Sequence, residues 1–258
     1  METVIQRVLT ALVRYGQPEA VLLVGSAAEA DTIPRDIDLL MLSSSGEIPV
    51  EALNLIQEEM SAETCVRHDD VYRLVRAGMP DISIAPMMTS SVAQELDAFA
   101  SGDNFAGERR YWAPGGRFPE AFAGDIVFGK VLHDACGTLL EMKRLLTPYP
   151  VAAQKALLGY CEQEISAKLE LLEAFPGNEL NAAVVRGDLV VAFTRAAYVV
   201  SGQYLRGLKR VGLSESTLCP TGKALLDVAK SLASAQAQIP FEKVRTGVTH
   251  LRRCYALE

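Results

Sequence analysis

A chain of 258 residues, 49% hydrophobic and 22% charged, can bury one large core or two modest ones. Its net charge of −7 offers no global attraction to a phosphate backbone, which disfavours long nucleic acid as a partner. The first residues lack a basic leader and no apolar run approaches the roughly 20 residues of a membrane helix, so a cytoplasmic protein without a membrane partner is expected. Five scattered cysteines with no CxxC pair suit a reducing compartment and suggest neither a disulfide framework nor a zinc site.

Val4, Ile5, Val8, Leu9, Leu12 and Val13 recur at spacings of three and four, predicting a helix over Val4–Tyr15 that Gly16 stops. Ala20–Val24 is an apolar run fit for a buried strand, ending at Gly25-Ser26, and Asp36–Leu42 reads as a second strand carrying two carboxylates. Pro49 is expected at the first position of a helix with Leu53 and Ile56 inward, ending near Met60. Val71–Arg76 and Asp81–Pro86 read as strands around a turn at Gly78-Met79-Pro80, and Val127–Leu132 as a later strand. Ser101–Asp125 shows no sustained period; it reads as an irregular connection or as a substrate-lining loop using Arg109, Arg110, Trp112 and Arg117. From Pro150 onward the pattern is helical: Val151–Phe175, Leu180–Val200, Gly222–Ala235 and Pro240–Tyr255. The expected fold is α+β, a small mixed sheet followed by a helical bundle, with domains at 1–145 and 146–258.

The chemistry concentrates in Val21–Ser43. Alternation along a strand turns Asp36 and Asp38 to one face while Ile37 and Leu39 face the core. Two such carboxylates repel one another and call for a cation, and hard oxygen ligands suit Mg²⁺, which completes its shell with water and substrate phosphates. Gly25 at a strand end lets backbone approach a ligand, and the Ser26 hydroxyl and nearby N–H groups can donate to phosphate oxygens. Together they would hold a nucleoside triphosphate for in-line phosphoryl transfer.

Gly25-Ser26, a gap of nine residues, and Asp36-Ile37-Asp38-Leu39 resemble the signature of the polymerase-β-like nucleotidyltransferase superfamily. The family pattern carries a third carboxylate on a neighbouring strand, which the resemblance assigns to Asp81 as metal ligand or as base, with Asp69 and Asp70 as competitors. The helical half is similar to the substrate domain of aminoglycoside and lincosamide nucleotidyltransferases. By that likeness Lys209, after Tyr198 and Gln203-Tyr204, would reach the β- and γ-phosphates; a basic run at a helix end accounts for it equally. Arg186, Asp188, Arg195 and Tyr198 either line a cleft or cap and solvate their helix, Glu162 and Glu164 either meet an amine-rich acceptor or face solvent, and Arg35 is left without a role.

The resemblance implies two Mg²⁺ ions held by Asp36, Asp38 and Asp81, with Gly25 and Ser26 on the triphosphate. It implies transfer of a nucleoside monophosphate, AMP from ATP, to a hydroxyl of a small molecule such as an antibiotic, with release of pyrophosphate. Protein or RNA-end acceptors, and a regulatory or antitoxin-like protein that binds nucleotide without turnover, are the competing expectations.

Overall fold

The computed structural model describes residues 2–28, 36–68, 70–75, 78, 80–103, 118–175, 179–206, 211, 215–234 and 241–256. Contacts divide the chain into Met1–Asp97 with Gly124–Thr147, and Ala98–Ala123 with Pro148–Glu258. The segment Ala98–Ala123, expected within the domain at 1–145, groups with the later helices.

In the first unit, α1 (Glu2–Ala11) buries Val8 and Ala11. Its continuation widens into a π-helical turn over Leu12–Gly16, so the helix does not stop before Gly16. Gln17 makes the reversal instead, with left-handed backbone at φ 45°. The six strands are β1 (Ala20–Val24), β2 (Asp36–Ser43), β3 (Thr64–His68), β4 (Val71–Val75), β5 (Asp81–Met88) and β6 (Lys130–Asp134), ordered β3-β4-β5-β2-β1-β6. The β2–β5 pair is parallel and the other neighbours antiparallel, which makes the sheet mixed. The predicted α+β architecture is therefore the observed one.

Alternation decides what each face does. Val21 and Leu23, Ile37, Leu39 and Met41, Tyr72 and Leu74, and Ile82 and Ile84 share one core with Val8, Leu12, Leu53 and Ile56 from α1, its π turn and α2 (Val50–Met60). Each fully buried side chain of this kind stabilises the fold by about 1.5–3 kcal/mol. Ala20, Leu22 and Val24 on the other face of β1 are buried too. Gly129 comes so close to Leu22 that a Cβ there would lie 2.6 Å from Leu22 Cγ, so its lack of a side chain is a packing requirement.

Four elements depart from expectation. α3 (Thr89–Ser101), α5 (Thr138–Leu146) and edge strand β3 are additional, and the stretch expected to be irregular ends in α4 (Pro119–Phe128). Val127 and Phe128 belong to that helix, so the strand expected over Val127–Leu132 begins only at Lys130. Pro49 is the N-cap of α2 rather than its first residue.

In the second unit, α6 (Val151–Ala174), α7 (Glu179–Val200), α8 (Pro220–Ser234) and α9 (Phe241–Ala256) pack together through α7. α7 buries Val185, Leu189, Phe193, Ala196, Ala197, Tyr198 and Val199. Gln154 of α6 donates to Val199 O at 2.7 Å, adding a side-chain bond to a carbonyl at the end of α7 that also accepts from Gly202 N–H at 2.9 Å.

Candidate active site

Gly25 opens a short 3-10 turn, Gly25–Ala28, directly after β1, with backbone at φ 72°. A Cβ at this residue would lie 2.5 Å from Asp38 Oδ2. Both the left-handed backbone and the close carboxylate demand glycine here. The contact brings the Gly-Ser turn against the Asp-x-Asp strand; the β1–β2 register, which pairs Val24 with Asp38, explains why.

On the other side of β2 the parallel register pairs Asp36 with Asp81 and Asp38 with Ser83. Register partners on adjacent strands sit about 4.8 Å apart and share a face, and residues two apart along a strand are about 6.6 Å apart. Ile37, Leu39, Ile82 and Ile84 occupy the core face. Asp36, Asp38, Asp81 and Ser83 therefore share the opposite one, with Asp36 exposed and Asp38 and Asp81 partly covered. This is the arrangement alternation predicts for Asp36 and Asp38.

Arg73 belongs to the same face. It pairs with Ser83 in the β4–β5 register, its Nε donates to Asp81 Oδ2 at 3.1 Å, and a terminal nitrogen forms an ion pair with the same oxygen. Nothing in the sequence alone singles out Arg73 within the strand expected over Val71–Arg76. Its place between buried Tyr72 and Leu74 signals the face it occupies, whereas its alignment with Asp81 depends on a register that the sequence does not display.

Hard carboxylate oxygens, partly open to water, are the donor type that suits magnesium, and they stand beside a turn whose missing Cβ lets Asp38 Oδ2 pack against it. Among the described residues no three acidic, histidine or cysteine side chains come together closely enough to hold an ion, and Asp81 is engaged by Arg73. Asp36 and Asp38 alone provide the one or two carboxylates that Mg²⁺ commonly takes from a protein when phosphates and water supply the rest.

The remaining candidates lie elsewhere. Asp70 is almost wholly exposed and sits 3.7 Å from Arg67, the position of a surface pair. Asp69, Arg35, Lys209, Arg109, Arg110, Trp112 and Arg117 lie outside the described residues. Arg195 is buried, its Nε and one terminal nitrogen donating to Glu120 at 2.6 and 3.1 Å, against the Phe118 ring. Tyr198 is core, Asp188 pairs with Lys168 at 2.5 Å, and Glu162 accepts from Arg252 at 2.9 Å. A cavity of about 570 Å³ in the first unit is lined by Ser44, Thr89, Asp97 and Glu141 among others. It opens past the carboxyl ends of β2 and β5, whereas the aspartates stand at their amino ends.

No protein-family model matches the chain, and no curated protein matches it. Among solved structures it resembles a nucleotidyltransferase-like protein from Exiguobacterium sibiricum 255-15, with TM-score 0.47 and 9% identity over 97% of this chain and 73% of that one.

Proposed function

We propose that the chain is a magnesium-dependent nucleotidyltransferase, carrying a nucleoside monophosphate, AMP from ATP, to a hydroxyl group. The observation that carries the reading is the contact between Gly25 and the Asp38 carboxylate, which joins a glycine-serine turn to a sheet face bearing Asp36, Asp38 and Asp81.

In this reading Gly25 lets the backbone approach the triphosphate, and Ser26 and its neighbouring N–H groups donate to phosphate oxygens. Asp36 and Asp38 hold magnesium, with Asp81 as third ligand or as the base for the acceptor. The metal, when bound, neutralises phosphate charge and lowers the pKa of the attacking hydroxyl. The acceptor oxygen bonds to the α-phosphorus, the bond to the bridging oxygen of pyrophosphate breaks, and the hydroxyl proton passes to Asp81 or to water. Ile37 and Leu39, packed on the far side of the strand, fix the direction of both flanking carboxylates.

A small hydroxyl compound of antibiotic type is the acceptor class proposed, in a cytoplasmic setting. Purified protein with Mg²⁺ and α-labelled ATP, offered aminoglycosides, lincosamides, cell-extract proteins and tRNA, should transfer label to one acceptor class. Asp36→Asn with Asp38→Asn should abolish transfer. Calorimetry provides the independent check: ATP binding equally tight in EDTA, or unchanged in the double variant, would defeat the proposal. The pairing of Asp81 with Arg73 favours a second reading, in which nucleotide binds without turnover. Tight Mg²⁺-dependent ATP binding with no label transferred to any acceptor would establish that one.

A further inference from the structure

Arg73 places a cation on the acid-bearing face. Arg73 and Asp81 stand on neighbouring strands, and the β4–β5 register aligns Arg73 with Ser83, two residues along from Asp81 on the same face. The guanidinium meets a single carboxylate oxygen, Oδ2, through two nitrogens. Ser83 is in turn aligned with Asp38, and Asp81 with Asp36, so the arginine stands at the edge of the acidic row. Three carboxylates on adjacent positions of one sheet face repel each other in the absence of a cation, and a fixed positive charge offsets part of that repulsion. The Arg73 side chain is 59% exposed, so its flexible stem has room to swing away without disturbing the core beneath.

We propose that Arg73 is the resident counter-ion of this site: it occupies Asp81 in the cation-free protein and must give it up when a divalent cation enters. The inference rests on the donor-site reading above. Cation entry and arginine release are then one event. Both guanidinium nitrogens take Oδ2, which engages the lone pairs of that oxygen, and a divalent cation on the same carboxylate meets like-charge repulsion from the guanidinium, so each weakens the other's hold on Asp81. The displaced guanidinium is left on the face where the triphosphate would lie, and its planar fork suits phosphate oxygens. Nucleotide and cation thereby favour each other's binding, beyond their direct contact, because the nucleotide accepts the arginine that the cation expels. Such coupling is reciprocal, so it is measurable from either ligand.

The test is a titration of Mn²⁺, with and without a non-hydrolysable ATP analogue, into wild type, Arg73→Gln and Arg73→Lys, with Asp36→Asn/Asp38→Asn as control. Removing the competing charge should tighten Mn²⁺ binding to Arg73→Gln several-fold in the absence of nucleotide. The enhancement of Mn²⁺ affinity by the analogue should shrink in the same variant. Arg73→Lys, which keeps the charge but loses the fork, should fall between the two; if circular dichroism shows Arg73→Gln to be unfolded, the lysine variant carries the test by the same criterion. Unchanged or weaker Mn²⁺ binding in both arginine variants would overturn the proposal, weaker binding meaning that Arg73 orients Asp81 for the cation. Failure of the reading beneath it looks different: wild type would bind no Mn²⁺, or bind it independently of Asp36 and Asp38.

Discussion

One methyl group at position 25 would have to occupy the space that Asp38 Oδ2 already fills, on a backbone that side chains rarely adopt. Gly25→Ala should cost about 1–3 kcal/mol through backbone strain and push the Asp38 carboxylate out of its present position. The expected signature is a modest fall in melting temperature together with loss of Mg²⁺-dependent nucleotide binding. Wild-type affinity in a folded Gly25→Ala protein would show that the close approach is not needed. The cysteines give a second residue-scale contrast. Cys161 is fully buried, and burial pushes its thiol up to about 12, whereas Cys136 is exposed. At pH 8 iodoacetamide should modify Cys136 and spare Cys161 until the protein unfolds, a pattern that peptide mass mapping reads directly. Because the fold holds the neutral thiol, the stability linked to Cys161 is complete below about pH 8.5 and is lost as pH rises toward 12. Alkaline melting curves of Cys161→Ala should accordingly be flatter over that range than those of wild type.

At the scale of elements, the pair between α4 and α7 makes the most exacting demand. Glu120 is fully buried and its partner Arg195 nearly so. Glu120→Ala leaves a guanidinium in the core without its carboxylate and should destabilise by about 3–5 kcal/mol. Glu120→Leu combined with Arg195→Met, which removes both charges, should recover most of that loss in thermal unfolding. A single-variant effect below about 1 kcal/mol would mean that water reaches the arginine. The same helices show where sequence reading succeeds and where it stops. β1 and β2 were legible because their apolar runs are short, buried and closed by glycine and serine signals. α4 was not: its residues are apolar on nearly every side, so no stripe distinguishes helix from strand, and Val127-Phe128 passed for the start of the next strand. α3 and α5 carried readable stripes, Val92, Leu96 and Phe99 in one and Leu139, Met142 and Leu146 in the other. The Thr89-Ser90-Ser91 start of α3 masked the first, and the nine-residue length of α5 the second. On the aspartate face the glycine-serine turn and the paired aspartates could be read locally. Arg73 could not, because strand register is a property of two segments together.

For the whole molecule, the aspartate face lies in a unit built mostly from the first part of the chain, and among the described residues no helix is long and apolar enough to cross a membrane. The net charge of −7 leaves a local cation such as Arg73 more consequential than it would be on a basic surface. If the donor reading holds, Mg²⁺ with nucleotide should raise the melting temperature of the unit that carries the aspartates, by about 2.7 kcal/mol of added stability at a hundredfold excess over Kd. EDTA should remove the shift, and equal stabilisation of Asp36→Asn/Asp38→Asn would refute the assignment.

The grouping of Ala98–Ala123 with helices that come later in the chain sets a timetable for biosynthesis. Glu120 leaves the ribosome 75 residues before Arg195. At ordinary elongation rates that is a wait on the order of ten seconds. Throughout it a carboxylate and the apolar side chains of Ala121 and Phe122, destined for burial, have no finished bundle to enter. The nascent chain thus carries an adhesive segment in its middle while its sheet is already being completed. Chaperone dependence should be concentrated there, and a fragment ending at Thr147 would make that transient exposure permanent.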